Sequence, residues 1–338
     1  MQYVGLDAHL RQSTFCVLDD RGRKIMTRTV KGSWATVLTE LERLPAPFAV
    51  CFEASAGYGV LFERLRRIAR RVVVAHPGHL RLIFRSKRKN DRVDAEKLAK
   101  LLFLDEVPAV YVPSRSTQAW RRLVEHRRKL VGERTRAKNV LRALLRSQGI
   151  EAPQGLWSRR GLTWLAAVDL TTGMDTLQRD MLQERLLSLT RMIHRVETEL
   201  GRTASAHLGV QLLMTIPGVG IRTGEAVMAY IDDPQRFHRI KAIGRYFGMI
   251  PSQDASARSN RLGHITREGP SVVRHLVVEA AWQGIRRSAR LRAFYERVRR
   301  EDPGRKKIAL VATAHYLLRT MLAMLQTGEV WRYAEDHT

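Results

Sequence analysis

Two short apolar runs near the amino terminus each end in a carboxylate, and this pattern constrains the fold more than any other feature of the chain. Asp7 follows the apolar run in YVGLDAH, and Glu53 follows the one in FAVCFEAS. Asp91 and Asp94 open a helical pattern in KNDRVDAEKLAK, where a spacing of three residues puts them on one face. Carboxylates gathered from distant segments repel one another unless a cation neutralises them, and oxygen ligands favour Mg²⁺ or Mn²⁺. The four residues together indicate a metal site, although any one alone is more typical of a solvated strand end or helix start.

The order of elements in residues 1–112 predicts an α/β domain. Three strand-like segments with intervening turns come first, and a helix from about residue 33 to 44 follows. Strands and helices then alternate up to Asp91. This is the order of a ribonuclease H-like, or RuvC-like, fold. Ligands of open sheets collect at strand ends, where Asp7 and Glu53 are expected, as a shared metal site requires.

The charge of the chain predicts a polyanionic partner. Lys and Arg total 59 against 33 Asp and Glu, which gives a formal net charge of +26. Nucleic acid is the first candidate, and an anionic membrane surface is the competitor. We expect no membrane association, because no run is expected to reach the roughly 20 apolar residues of a bilayer span. Met1 leads directly into a strand-like segment without a signal peptide, so we expect the cytoplasm.

The two cysteines fit that compartment. Cys16 and Cys51 both lie in apolar strand-like runs and have no Cys-x-x-Cys or Cys/His spacing. We therefore expect reduced core thiols and no zinc site.

Residues 113–205 are predicted to form a basic helical connector. Arg and Lys crowd a helical pattern from about residue 114 to 150, and a second helical stripe of Leu, Ile and Val runs from about 176 to 200. The two helices could pair as an antiparallel coil within the chain or between subunits. The basic face is either a phosphate contact or an ordinary solvated face.

Residues 206–338 are predicted to form a mainly α carboxyl-terminal domain that begins with a helix-hairpin-helix-like element. In TIPGVGIRTG, Gly218 and Gly220 would let the turn approach a phosphate at the start of the next helix. Many helix pairs are joined by a turn with Pro and Gly and do not contact DNA. Both DNA contact and an ordinary turn between packed helices therefore stay open. Residues 303–325 are expected to form a basic turn and then an apolar helix of the core or of an assembly contact, with His315 as a packed histidine.

The segment PSQDASARSNRLGHITREG, residues 251–269, is predicted to be a polar, basic loop. Its hydroxyls and arginines could hold a phosphodiester against a serine nucleophile, since cations offset the charge that develops in phosphoryl transfer. Composition alone does not choose the serine, and a flexible surface loop would have the same composition.

With these motifs in order, the chain resembles the bridge-RNA-guided insertion-sequence recombinases, whose relatives include the Piv and MooV DNA invertases. The resemblance covers essentially the full length. It rests on GLDAH, CFEASAGYG, KNDRVDAEKLA, IPGVGIRTGEAV and the serine-containing stretch, together with the downstream segments LVVEAAW and GRKKIALVATAHYLLRTML. It implies a RuvC-like DEDD domain in which Asp7, Glu53, Asp91 and Asp94 hold Mg²⁺ or Mn²⁺ and take part in catalysis.

The resemblance also implies a nucleophilic serine at Ser256, with Ser252 and Ser259 as fallbacks. Ala257 stands where the family usually has Gly. A covalent phosphoserine intermediate suits strand exchange without a nucleotide cofactor, and the chain has no GxxxxGK[ST] phosphate loop. His264 and Arg258 are close in sequence, and the group that deprotonates the serine is left open.

The implied partners are donor and target double-stranded DNA, a structured noncoding guide RNA, and further copies of the chain in a homodimer or homotetramer. The implied location is the bacterial cytoplasm at the nucleoid. Two alternatives remain: a RuvC-like junction nuclease that uses water, and a noncatalytic nucleic-acid scaffold. Beside the basic residues Arg85 and Lys87, the predicted nucleic-acid contacts are Arg88, Lys89, Arg121, Arg122, Gly218, Gly220, Arg258, Arg261 and Arg267.

Overall fold

Five short segments rich in β-branched and aromatic residues form one sheet in the first unit of the chain, residues 1–115. The strands are β1 (Gln2–Ala8), β2 (Gln12–Leu18), β3 (Lys24–Lys31), β4 (Phe48–Glu53) and β5 (Arg71–Ala75). Their order across the sheet is β3-β2-β1-β4-β5. Neighbours among β3, β2 and β1 are antiparallel, whereas β4 is parallel to β1 and β5 is parallel to β4. This mixed α/β unit is compatible with the ribonuclease H-like order that the sequence predicts.

The computed structural model describes residues 1–83, 90–256 and 259–332, and for residues 254–256 and 259–262 it gives the backbone only. The second unit covers residues 116–338. The finer division into three domains, with boundaries after residues 112 and 205, stays a prediction.

Helices cover both faces of the sheet. They are α1 (Trp34–Glu42), α2 (Tyr58–Leu65), α3 (Pro77–Ile83) and α4 (Asp91–Phe103). Side chains alternate in direction along a strand, so the even and odd residues of β1 face different layers. Val4 and Leu6 are fully buried in the core that includes α1 and α2, whereas Gly5 faces α4. The result is a three-layer arrangement of helix, sheet and helix.

The missing side chain of Gly5 lets α4 pack directly on the sheet. A Cβ at Gly5 would lie 2.0 Å from the carbonyl oxygen of Ala95 and 2.3 Å from the amide nitrogen of Ala99. Two residues earlier on β1, the ring of Tyr3 meets that of Phe103 edge to face at a centroid distance of 5.3 Å. The helix α4 therefore runs antiparallel to β1 with the two backbones in contact.

Both cysteines are buried free thiols, as the sequence predicts. Burial raises the pKa of the Cys16 thiol and raises that of Cys51 to about 12.

The second unit is mainly helical. In the part that the structure describes, its helices are α5 (Arg115–Ser147), which starts one residue before the unit, α6 (Arg159–Ala167), α7 (Gly173–Ser205), α8 (Leu208–Met214), α9 (Ile221–Ile231), α10 (Ala242–Tyr246), α11 (Ser271–Arg287), α12 (Ala289–Arg299) and α13 (Lys306–Thr327). Residues 251–269 are not the loop that the sequence analysis expected. They contain a two-stranded antiparallel hairpin of β6 (Pro251–Ser256) and β7 (Ser259–Ile265).

The two long helices α5 and α7 pair within the chain. Leu130 of α5 shares an apolar cluster with Ile193 of α7, and Leu145 of α5 shares another with Leu186 of α7. As the residue number rises along α5 it falls along α7, so the pair is antiparallel. This arrangement agrees with the intrachain alternative of the sequence analysis.

The helix α13 lies in the core of the second unit. Leu317, Leu318, Met321 and Leu322 are fully buried there. The segment Pro303–Thr327 is long and apolar enough to cross a membrane by length and composition, so the expectation that no run would pass this test is wrong. The core of a protein and the interior of a bilayer select the same residue types, and the burial of these four side chains accounts for part of the apolar character of the helix.

An ion pair with a buried carboxyl group lies within α9. Glu225 is 1% exposed, and its Oε2 forms an ion pair with Arg222 Nη1 at 2.8 Å. Within the described part of the chain, Glu225 Oε1 has no hydrogen-bond partner. Burial raises the pKa of Glu225 to about 7, because it outweighs the attraction of Arg222 and Arg127 for the ionised form.

Replacement of Gly5 by Ala tests the packing of α4 on β1. The added Cβ would collide with the backbone of Ala95 and Ala99, so α4 must move outward, at a cost of about 2–3 kcal/mol. We expect the unfolding temperature of the first unit to fall by roughly 10 °C, measured by differential scanning calorimetry. Gly132→Ala is the control, since a Cβ there meets nothing within 4 Å. Equal stability of Gly5→Ala and wild type would contradict the packing.

Glu225 predicts a specific dependence of stability on pH. Between pH 4.5, the ordinary pKa, and about 7, folded Glu225 keeps a proton that the unfolded chain has released, so stability falls as pH rises through this window. The full loss, at most about 3 kcal/mol, is reached above pH 7. Urea unfolding of Glu225→Gln should show a flatter pH profile than wild type. Glu199→Gln, with an exposed carboxylate, should keep the wild-type slope, and identical slopes for all three proteins would refute the assignment.

Candidate functional site

Two of the four predicted carboxylates leave the sheet at the same edge. Leu6 of β1 pairs with Phe52 of the parallel strand β4. The next residues along the two strands are Asp7 and Glu53, so they stand side by side at the carboxyl ends of β1 and β4. Asp7 is half-buried and Glu53 is exposed. The residues directly before them, 4–6 and 48–52, are buried, and they fix where each carboxylate emerges.

The other two carboxylates lie in the first turn of α4. Asn90 caps this helix, because its side-chain oxygen accepts a hydrogen bond from the Arg92 amide at 3.1 Å. The cap makes Asp91 the first helical residue and Asp94 its neighbour one turn later. Acidic side chains in a first turn also interact favourably with the helix dipole.

The packing of α4 on β1 brings Asp91 to the carboxyl end of β1. Donor atoms of Asp7, His9 and Asp91 all lie within 4.8 Å of one another. His9 Nε2 is 3.3 Å from Asp7 Oδ1. Two carboxylate oxygens and one imidazole nitrogen form a donor set that a divalent cation can accept.

Glu53 and Asp94 are not part of this group. Asp94 Oδ1 is 3.5 Å from Lys97 Nζ on the same helix, and Glu53 ends its strand at the surface. Sequence reasoning missed His9, although GLDAH contains it. The signal was available, since residues 7 and 9 point the same way if the extended backbone of β1 continues.

The predicted nucleophile lies at the tip of the β6–β7 hairpin. Ser256 ends β6 and its backbone pairs with Ser259 at the start of β7. The side chains of Ser256, Ser259 and Arg261 lie outside the described part of the chain, as do Ala257 and Arg258 altogether. The Ser252 hydroxyl lies over Gly263 of the opposite strand, where a Cβ would be 2.5 Å from Oγ.

The two glycines of the helix-hairpin-helix-like element differ in surroundings. Gly218 has a φ of +89°, and a Cβ there would lie 2.5 Å from the backbone nitrogen of Gly284 in α11. The small size of Gly218 therefore serves contact with α11 within the protein. Gly220 precedes the first residue of α9, and a Cβ there would meet nothing within 4 Å. Only the second glycine stands in open space.

Among the described residues, the arginines predicted to contact nucleic acid fall into two groups, one bound within the protein and one exposed to solvent. Arg121 donates from Nε to the carbonyl of Ala229 at 2.6 Å and from Nη2 to that of Tyr230 at 3.1 Å, so its guanidinium binds the carboxyl end of α9. Arg122 and Arg267 are exposed. Arg85, Lys87, Arg88 and Lys89 lie outside the described residues.

Two transposase sequence models match the chain. The DEDD transposase domain of IS110 matches residues 4–149, and the transposase IS116/IS110/IS902 family matches residues 210–296. Together they cover about two thirds of the chain. The DEDD domain, whose name refers to four acidic residues, suggests the use of a divalent metal.

Individual transposases from bacteria are similar over most of their length. The transposase for insertion sequence element IS1111A of Coxiella burnetii is 27% identical over 83% of this chain and 77% of its own length. A probable family 20 transposase of Pseudomonas aeruginosa is 26% identical over 82% of each chain. The chain belongs to the IS110/IS116/IS902 family of insertion-sequence transposases, a class of enzyme that cleaves and rejoins DNA.

Proposed function

We propose that this transposase exchanges DNA strands through a covalent phosphoserine intermediate formed by Ser256, assisted by a divalent metal at Asp7, Glu53, Asp91 and Asp94. The observation that carries the proposal is the convergence of Asp7 and Asp91, which come from a strand end and a helix start 84 residues apart in sequence. Packing brings like charges together there, which is useful only if a cation neutralises them. The DEDD match of the same unit supports this interpretation.

The residues at this edge fit Mg²⁺ or Mn²⁺. Carboxylate oxygens from two elements lie within reach of one another, and Glu53 stands beside Asp7 at the strand ends. Asp94, one turn after Asp91, would complete the oxygen-rich set. A bound divalent ion would polarise the scissile phosphodiester and offset the charge that develops on its oxygens.

In the proposed step, the Ser256 hydroxyl gives up its proton and its oxygen forms a bond to phosphorus. The bond from phosphorus to one bridging oxygen breaks, and the released DNA hydroxyl takes a proton. Attack on the phosphoserine by another DNA end reverses these changes, so the energy of the phosphodiester is conserved. The place of Ser256 at the end of β6, in the last backbone pair of the hairpin, supports this role, since loops and turns often carry catalytic residues.

We further propose that a structured noncoding RNA guides the enzyme to donor and target DNA. The net charge of +26 supports extensive contact with phosphates. Arg122, Arg267 and the open start of α9 at Gly220 are the proposed contacts among the described residues. Arg88, Lys89, Arg258 and Arg261 are proposed from the sequence. The protein would act in the cytoplasm, at the nucleoid, as a homodimer or homotetramer without membrane association.

Trapping of the covalent intermediate tests the nucleophile. Ser256→Ala removes the attacking oxygen, so it should abolish the protein–DNA adduct on denaturing gels and lower strand exchange by at least about 10³-fold. Ser252→Ala and Ser259→Ala are matched controls from the same hairpin and should keep the adduct. Asp7→Asn and Asp91→Asn should also lose both the protein–DNA adduct and strand exchange.

The outcomes separate three functions. Cleavage by Ser256→Ala at the wild-type rate, with a hydrolysed product, would establish a metal-dependent nuclease that uses water. DNA chemistry that survives both Asp7→Asn and Asp91→Asn would eliminate the metal site. A wild-type protein that binds DNA without any strand cleavage would leave a noncatalytic scaffold.

Copurification of RNA with the protein tests the proposed guide RNA. The full-length protein, expressed with the noncoding flanks of its element, should retain one discrete RNA whose sequence pairs with the element ends and with the target. Expression without the flanks is the control and should yield no such species. Bound RNA that mirrors the bulk cellular pool in both preparations would show attraction by charge alone, and would overturn guidance by RNA.

A further inference from the structure

We infer that His9 is a ligand of the metal at Asp7 and Asp91, and that its nitrogen gives the site a preference for Mn²⁺ over Mg²⁺. The inference rests on the metal site of the proposed function and adds a residue outside the four acidic ones. Imidazole nitrogen is a softer donor than carboxylate oxygen, and first-row transition ions accept it more readily than Mg²⁺ does.

The spacing of the donor atoms supports coordination by His9. Ligands that lie about 2.1 Å from an octahedral ion are about 3 Å apart when adjacent and about 4.2 Å apart when opposite. His9 Nε2 and Asp7 Oδ1 are 3.3 Å apart, close to the adjacent spacing. A donor atom of Asp91 lies within 4.8 Å of both, so all three side chains are within reach of one ion after small side-chain adjustments.

The backbone at His9 is held in place. The Ser13 hydroxyl donates to the His9 carbonyl oxygen at 3.2 Å, and Ser13 itself is 1% exposed. This hydrogen bond closes the turn from β1 to β2 immediately after Asp7 and Ala8. The imidazole remains 55% exposed, so packing against the protein core does not account for its orientation toward Asp7.

An ordinary ion pair between His9 and Asp7 is the competing explanation, because 3.3 Å also suits a charge contact. The two explanations differ in what happens to the nitrogen when metal is added. A ligand nitrogen is bonded to the ion, whereas an ion-pair partner is displaced or stays outside its coordination shell. The nuclear spin of nitrogen reports this difference directly.

Pulsed electron paramagnetic resonance of the full-length protein with Mn²⁺ alone is the first test. Wild type should show a nitrogen coupling, and labelling of histidine with ¹⁵N should change its frequency. His9→Asn should lose the coupling, while His76→Asn, which alters another exposed histidine of the same unit, should keep it. If His9→Asn folds poorly, the labelled wild-type spectrum still shows whether a histidine binds the ion, and a coupling that persists in His76→Asn excludes His76 as that histidine.

Calorimetric titration gives a second, independent measurement. His9→Asn should weaken Mn²⁺ binding by about tenfold and change Mg²⁺ binding by less than about threefold, so that the preference for Mn²⁺ is reduced. Mn²⁺ binding by wild type without nitrogen coupling, and equal Mn²⁺ affinity in His9→Asn, would overturn the inference and leave the acidic metal site intact. If wild type binds neither Mn²⁺ nor Mg²⁺, both the role of His9 and the proposed metal site are wrong.

Discussion

The acidic edge of the first unit, where Asp7 and Asp91 meet at the carboxyl end of β1, depends on the contact between the backbones of β1 and α4. Gly5 has no Cβ to hold the helix away, and Ala95 and Ala99 are small enough to lie against it. With this contact fixed, the antiparallel course of α4 places its amino-terminal residue at the carboxyl end of β1, so Asp91 meets Asp7. Core packing thus overcomes the repulsion between the two carboxylates. If the proposed metal binds at this site, it would neutralise the carboxylates and so couple metal binding to the stability of the first unit.

The sequence predicts most of the first unit because its signals are local. Apolar runs define β1 and β4, and the residues that follow them, Asp7 and Glu53, emerge at one edge as expected. The role of Gly5 could not be predicted, since its meaning depends on Ala95 and Ala99, ninety residues later in the chain. His9 was overlooked for a different reason, because an acidic pattern draws attention to carboxylates alone. The β6–β7 hairpin was mistaken for a loop, since its polar residues lack the alternation that marks a half-buried strand.

Net charge exaggerates how many arginines are available to nucleic acid. Arg121 binds the carbonyl groups at the end of α9, and the guanidinium of Arg222 lies 2.8 Å from the buried carboxyl group of Glu225. Arg274 donates to the carbonyl oxygens of Phe247, Glu268 and Gly269, and so fastens the segment that follows the hairpin. These guanidiniums satisfy carbonyl groups and charges within the protein. A count of basic residues cannot distinguish them from exposed ones such as Arg122 and Arg267, because the distinction lies in tertiary contacts.

The proposed mechanism uses different parts of the protein to bind nucleic acid and to cleave it. Exposed basic residues would bind the nucleic acid, whereas the acidic edge would act on the scissile phosphate. Phosphates are attracted by the exposed cations, and that attraction weakens as salt rises. The carboxylates at Asp7 and Asp91 repel the same phosphates until a divalent ion reverses the local charge. In the proposed mechanism the scissile phosphate would therefore approach the acidic edge only with metal, whereas the rest of the nucleic acid is held without it. In that mechanism Ser256 would benefit from this order, because a phosphodiester without metal keeps its full negative charge and resists nucleophilic attack.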